Sequence, residues 1–416
     1  MAEPEAGSGA PGAPLLRNHQ GGPAPVSFLE LFFDLVYVFA ITQVSHFILE
    51  HPGTAGLIEG GVVFAAIWWA WVYTTWAANW ADPERLPVRL MLLAVMLASL
   101  LMSVAIVHAF DAGGADQALL FAGAYVGIQI GRTLFMAWAM RGDNDFSTRN
   151  MIRIALWFCL SAVPWIAGAL QGDPQQRAAW WLAAILLEYA GPLAGYRVPG
   201  LGRSSPREWN ISGSHMAERC ALFIIIALGE GIVVTGATYA ETEMQGLQTQ
   251  AFLLAFLSSV LMWWLYFDVG ARRGAQHIEH HGEPGRIARN AYTYLHMPIV
   301  FGIVLTAVSD EMLLAHPERS AEPRLVLFLC GGLAVYLLGT GLFKRFSNTF
   351  RNFPLSHTAG LVLLAGAAAW GLIETPGALA LGSIAVAILA LIAMWEWGSF
   401  HGGWRERLAR WRVMGA

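Results

Sequence analysis

The sequence predicts an all-α fold, a polytopic transmembrane helical bundle of about twelve spans. Three observations carry this. Hydrophobic residues make up 56% of the 416 and charged residues only 13%, a balance that excludes an ordinary water-soluble domain. Apolar runs of the roughly 20 residues that cross a hydrocarbon core follow one another almost end to end. The alternation of a membrane β-barrel is lacking, so helices must satisfy the backbone inside the bilayer.

Residues 1–25 are rich in Gly, Ala and Pro without the charged-then-apolar pattern of a signal peptide, and are expected to be a disordered cytoplasmic tail. The first run, near 28–49, opens on Ser27 as N-cap, with Glu30 at the capping-box spacing and Val26 and Leu31 as a hydrophobic staple. The second, near 57–79, carries the tryptophan-rich IWWAWVYTTW, and the third, near 88–110, follows an Arg- and Pro-bearing joint. The fourth, near 117–140, contains Gly131 and Arg132; the fifth and sixth, near 151–170 and 178–196, each contain proline. The seventh, near 217–238, and eighth, near 250–271, are followed by a ninth, near 289–309, which Pro298 interrupts. The last three lie near 325–346, 355–374 and 378–400, before a basic cytoplasmic tail, 403–416.

Joints after even-numbered spans hold most of the basic residues, among them Arg141, Arg149, Arg203, Arg272, Arg273, Lys344 and Arg345. The opposite joints hold only Arg177, Arg319 and Arg324, so the positive-inside rule places both termini in the cytoplasm. Weak self-similarity divides the spans into an N-terminal half, 26–209, and a C-terminal half, 210–402. GRTLF at Gly131 echoes GTGLF at Gly339, and LLEY around Glu188 echoes MWEW around Glu396. In the same order these matches point to a 6+6 parallel internal repeat. Cys159, Cys220 and Cys330 all fall in spans, where they act as small apolar residues.

Polar residues inside spans are the candidate functional ones, because a charge at depth costs at least about 2.5–3.5 kcal/mol unless it faces a partner or water. Glu30 has a local role as a cap; Asp34 lies ~10 Å along its helix and must point inward. Arg132, Glu188, His296 and Glu396 reach a similar depth, and Arg132 is expected to face the buried acids. In the seventh span, Glu218 shares a stripe with Leu222, Ile225 and Gly229, Arg219 follows it, and Glu230 lies ~20 Å deep. Gly229 and Gly231 would let another helix approach there.

Three segments, ELFFDLVYVFAI from Glu30, SHMAERCALFIIIALGEGI from Ser214 and AYTYLHMPIVFGIV from Ala291, resemble the bacterial low-temperature-requirement A (LtrA) family. The resemblance implies a polytopic protein of the bacterial inner membrane and brings no established substrate, reaction or cofactor. Glu30, Phe33, Asp34, Glu218, Arg219, Gly229, Glu230, His296 and Pro298 carry the family pattern.

One motif points elsewhere. HIEHH, with His277, His280 and His281, has the H-x-x-H-H form of membrane di-iron enzymes, but the remaining histidines are scattered singly, so these three are only weak metal candidates and no cofactor is expected. There is no phosphate-binding loop and no nucleophile elbow, and nothing points to nucleic acid. The lipid bilayer and a small solute or cation are the expected partners, with oligomerisation left open. The favoured function is a proton- or cation-coupled secondary transporter in which Asp34 and Glu230 exchange protons or bind a cation against Arg132 or Arg219. The alternatives are a membrane-embedded enzyme acting on a lipid or isoprenoid-like molecule, and a channel or accessory subunit.

Overall fold

A computed structural model describes residues 15–17, 25–51, 53–141, 145–204, 212–242, 246–268, 289–347 and 352–400. Among these residues there are twelve α-helices and no β-strand: α1 (Phe28–Glu50), α2 (Thr54–Trp80), α3 (Leu86–Ala105), α4 (Ala115–Ala139), α5 (Asp145–Ala169), α6 (Pro174–Leu193), α7 (Gly213–Ala240), α8 (Gly246–Phe267), α9 (His296–Ala315), α10 (Pro323–Phe346), α11 (Leu355–Glu374) and α12 (Ala378–Phe400). Eleven are long and apolar enough to cross a membrane. The exception is α6, whose opening PQQRAAWW and internal Glu188 lower its hydropathy. Large apolar side chains such as Leu97, Val163 and Ile373 point outward, as a lipid environment demands. This is a multi-pass membrane protein.

Helix limits follow local chemistry. Asp173 caps α6 by accepting a hydrogen bond from the Gln176 amide at 3.2 Å, with Pro174 next in its first turn. A π-helical turn, Arg289–Tyr294, ends just before α9, so the ninth run breaks beside Pro298, where the missing amide loosens the ladder. The helix then runs on to Ala315 rather than stopping near 309, which brings Asp310 and Glu311 inside it.

Most of the N-terminal tail, the HIEHH motif with its three histidines and the tail 403–416 lie outside the described residues. Within the stretch expected as a disordered tail, Leu15–Arg17 is ordered: Leu16 forms a β-bridge with Ala81, and the Arg17 amide donates to the Trp80 carbonyl at 2.8 Å.

The chain forms two compact units. Unit 1 comprises Met1–Ala40 and Ala66–His215, and unit 2 comprises Ile41–Ala65 and Met216–Ala416. Both α1 and α2 therefore contribute to each. In unit 1, α3 packs on α4, α4 on α5 and α5 on α6. Buried Arg177, counted from sequence as a loop cation, ties this layer together by donating to the carbonyls of Ala109 and Gln171, each at 2.6 Å.

In unit 2 the closest packing is α9 against α10, and it is backbone on backbone. A Cβ on Gly302 would lie 2.6 Å from the Tyr336 amide nitrogen, and one on Gly339 2.9 Å from that of Ile299. Glycine permits this approach in a membrane, where van der Waals contact drives helix association. The close approach expected at Gly229 is not found: a Cβ there would meet nothing within 4 Å, and one on Gly231 only Ala307 at 3.9 Å. At one end of unit 2, Arg324 donates to the carbonyls of Ile48 and Leu49 at 2.7 and 2.6 Å, capping the last turn of α1 with a cation. The α9–α10 and α11–α12 connections meet at the same end, where the Ala378 amide donates to the Arg319 carbonyl at 2.9 Å.

Candidate functional site

Glu30 does the capping work its spacing predicts, and more. Its Oε2 accepts from the Ser27 amide at 2.8 Å and the Ser27 hydroxyl at 2.9 Å, while the Glu30 amide lies 3.3 Å from Ser27 Oγ. The same oxygen pairs with Arg17 at 2.9 Å, and Oε1 lies 2.8 Å from His215 Nε2. Asn79 Nδ2 is 3.2 Å from His215 Nδ1. Asn79 can only donate there, so Nδ1 accepts, Nε2 carries the proton, and His215 donates to Glu30 as a neutral ring.

One turn on, Asp34 is fully buried and its Oδ1 accepts from the Trp71 indole at 2.7 Å. Deeper in unit 1 a chain of hydrogen bonds runs in one direction. Arg132 donates to Gln129 Oε1 at 2.6 Å, Gln129 Nε2 to the Tyr125 hydroxyl at 3.0 Å, and that hydroxyl to Glu188 Oε2 at 2.5 Å. Ser161 and the Trp165 indole close the other carboxylate oxygen at 2.7 and 2.9 Å. The expectation that Arg132 faces the acids directly is therefore corrected. Its guanidinium meets Gln129, Thr74 at 3.1 Å, the Ala70 carbonyl at 3.4 Å and the faces of Tyr73 and Phe158, and no carboxylate among the described residues. Aligned dipoles connect cation to anion, and each bond polarises the next.

Unit 2 has its own closed network. Glu396 accepts from Lys344 at 2.6 Å and from Ser356 at 3.2 Å, and lies 3.1 Å from His357 Nδ1. Lys344, read from sequence as a cytoplasmic loop residue, is buried here. His296 is also closed: Nδ1 donates to the Ala291 carbonyl at 2.9 Å and Nε2 accepts from Tyr266 at 2.8 Å, so neither nitrogen is open to a cation or a proton. Glu218 is exposed, with no hydrogen bond among the described residues; the stripe it shares with Ile225 faces outward, and the one beside it, with Arg219 and Phe223, is buried.

Glu230 differs from all of these. Among the described residues it accepts one hydrogen bond, from Thr42 at 3.1 Å, and it lines a cavity of about 30 Å³ with Ser45, His46, Thr235 and Glu311. Polar groups from α1, α7 and α9 converge there among Ile41, Val234, Ile303 and Val304. A volume of this size holds one water. Glu311 also lines a second, larger cavity of about 310 Å³, with Met312, Ala315, His316, Arg319, Glu322 and Arg324, at the end of unit 2 where the connections meet. The inner cavity is the candidate functional site, because Glu230 meets space there with a single donor, unlike Glu188 and Glu396.

The family model for bacterial low temperature requirement A protein (LtrA) matches residues 25–394. The chain belongs to the LtrA family. It is 38% identical over 384 residues, 92% of this chain and 91% of the relative, to a Rhizobium meliloti (strain 1021) protein named uncharacterized protein RA0937. No solved structure matches. The three segments that carried the LtrA resemblance divide between the units: Glu30, Phe33 and Asp34 lie in unit 1, and Arg219, Glu230, His296 and Pro298 in unit 2.

Sequence reasoning missed His46, Glu311, Gln129 and Tyr125. His46 falls off the stripe that Glu30 and Asp34 define, and Glu311 lay beyond the expected end of the ninth run. Both are ionisable residues within four positions of a span end, a signal available but easily read as interfacial.

Proposed function

We propose that this LtrA-family protein is a secondary transporter moving a small solute together with a proton or another small cation, and that Glu230 binds and releases the coupling ion. One contrast carries the reading. Glu188 and Glu396 are enclosed by donors, whereas Glu230 accepts a single hydrogen bond and faces a water-sized cavity that Ser45, His46, Thr235 and Glu311 also line. A coupling carboxylate must exchange its ion, and only one that water reaches and its neighbours leave incompletely satisfied can do so at low cost. Asp34 is proposed as a second acid of the pathway.

The duplication reading gains support within each unit. Glu188 of α6 is held by side chains of α4 and α5; Glu396 of α12 is held by side chains of α10 and α11. Gly131 and Gly339 are separated by the same interval as the two glutamates. A transporter built from such repeats fits the bacterial inner membrane, with both termini in the cytoplasm on the distribution of Arg and Lys.

The test is uptake of a labelled solute panel into proteoliposomes, with and without a proton or sodium gradient. Gradient-dependent uptake of at least one solute is expected, abolished by Glu230→Gln with insertion unchanged. A Glu230→Gln protein that still concentrates solute on a gradient would remove the assignment.

A further inference from the structure

We propose that unit 2 contains a two-chamber ion entry path, in which the larger cavity is an outer vestibule, Glu311 is the residue both chambers share, and the species that passes inward to Glu230 is a bare monatomic cation or a proton carried on water. The proposal rests on the reading of Glu230 given above and adds to it a route, a size limit and a further residue.

Geometry supplies the route. Glu311 lies four residues before the end of α9 and His46 four before the end of α1, each ~6 Å inside its helix terminus. Glu230 lies ten residues before the end of α7 and Thr42 eight before the end of α1, ~15 and ~12 Å inside. Two tiers result, His46 with Glu311 above and Thr42 with Glu230 below, and all four line the inner cavity. Only Glu311 among these four also lines the vestibule, so it is the residue the two chambers share.

Volume sets the limit. The vestibule, at about 310 Å³, holds a small organic molecule or a cluster of waters. The inner cavity, at about 30 Å³, holds one water or one dehydrated monatomic ion, so an organic solute stops at Glu311.

Charge sets the sign. The vestibule is mixed, with Arg319 and Arg324 against Glu311 and Glu322, and the Arg324 guanidinium is committed to the carbonyls that end α1. The inner chamber has two carboxylates, one imidazole and the hydroxyls of Thr42, Ser45 and Thr235, with no Arg or Lys among the described residues that line it. Carboxylate and hydroxyl oxygens with no Arg or Lys beside them suit a hard monatomic cation or a proton.

The path is tested by thiol accessibility in the full chain reconstituted in liposomes, which needs no knowledge of the solute. A parent lacking thiols (Cys159→Ser, Cys220→Ser, Cys330→Ser) receives Ser45→Cys or, from a different helix, Thr235→Cys in the inner chamber, or Ala315→Cys in the vestibule. Each is exposed from one side and then the other to Ag⁺, a monatomic thiol reagent, or to a bulky trimethylammonium methanethiosulfonate. From the side that carries Arg319, the vestibule thiol is expected to react with both, and the inner thiols with Ag⁺ alone. Glu311→Gln in the Ser45→Cys background should slow the Ag⁺ reaction about 3- to 10-fold, since a focusing charge is removed from the entrance. Inner thiols inert to Ag⁺ at both positions, or equally reactive toward the bulky reagent, would overturn the path. So would an Ag⁺ rate indifferent to Glu311→Gln. Ion access and gradient-driven uptake are separate readouts, so failure of this path is distinguishable from failure of the transport reading.

Discussion

Lys344 Nζ donates to Glu396 Oε2 over 2.6 Å where the two side chains are only 1% and 5% exposed. A pair this dry gains stability only as a pair, because either charge alone is left uncompensated. Lys344→Met is therefore expected to destabilise unit 2 by about 3–5 kcal/mol, and Glu396→Gln similarly, while the double replacement recovers most of the loss. Thermal unfolding in detergent checks this; simple additivity of the two losses would show that the side chains are not coupled.

The one-way chain from Arg132 to Glu188 predicts that its middle members matter as much as its ends. Tyr125→Phe deletes the hydroxyl that links Gln129 to the carboxylate, and a cost of about 1–3 kcal/mol is expected. Replacing exposed Cys159, on neighbouring α5, by Ser should fall within about 0.5 kcal/mol of wild type. Equal melting temperatures for the two variants would count against the chain.

Glu30 is both a cap and a hub. Were it a cap alone, Glu30→Gln would cost on the order of 1 kcal/mol. With Arg17 and His215 also bonded to the carboxylate, the expected loss is about 2–3 kcal/mol, and a cycle with His215→Gln should show coupling above about 0.5 kcal/mol. Independent effects of the two substitutions would return Glu30 to a local role.

Two helical glycines are predicted to respond oppositely. Gly302→Ala forces a methyl group to within 2.6 Å of the Tyr336 backbone and should cost about 1–3 kcal/mol by prying α9 from α10. Gly229→Ala meets nothing within 4 Å and should be neutral or stabilising by up to about 1 kcal/mol through helix propensity. Matched melting curves of the two alanine variants decide it.

What was legible in the sequence follows the range of the interaction. The capping box of Ser27 and Glu30 is an i, i+3 relationship, and the structure realises it. The break before Pro298 is likewise local. His215 stands 185 residues from Glu30, and no spacing rule connects them. Lys344 and Arg345 are adjacent and identical in charge, and the turn of the helix alone decides that Lys344 is buried and Arg345 exposed. For Glu218 the sequence grouped the stripe but did not say which way it faces, because a span apolar all around carries no marker of its inner side.

The sequence by itself determined that the chain crosses a membrane as helices, about how many there are, and which polar residues are too costly to face lipid. That follows from transfer energetics, which depend on residue type and run length alone. Tertiary structure decided which of those residues are closed by partners and which meets open space: Glu188, Glu396 and His296 on one side, Glu230 on the other. Satisfaction of a buried polar group depends on donors brought from distant helices at hydrogen-bond distance, and that convergence exists only once the helices are packed.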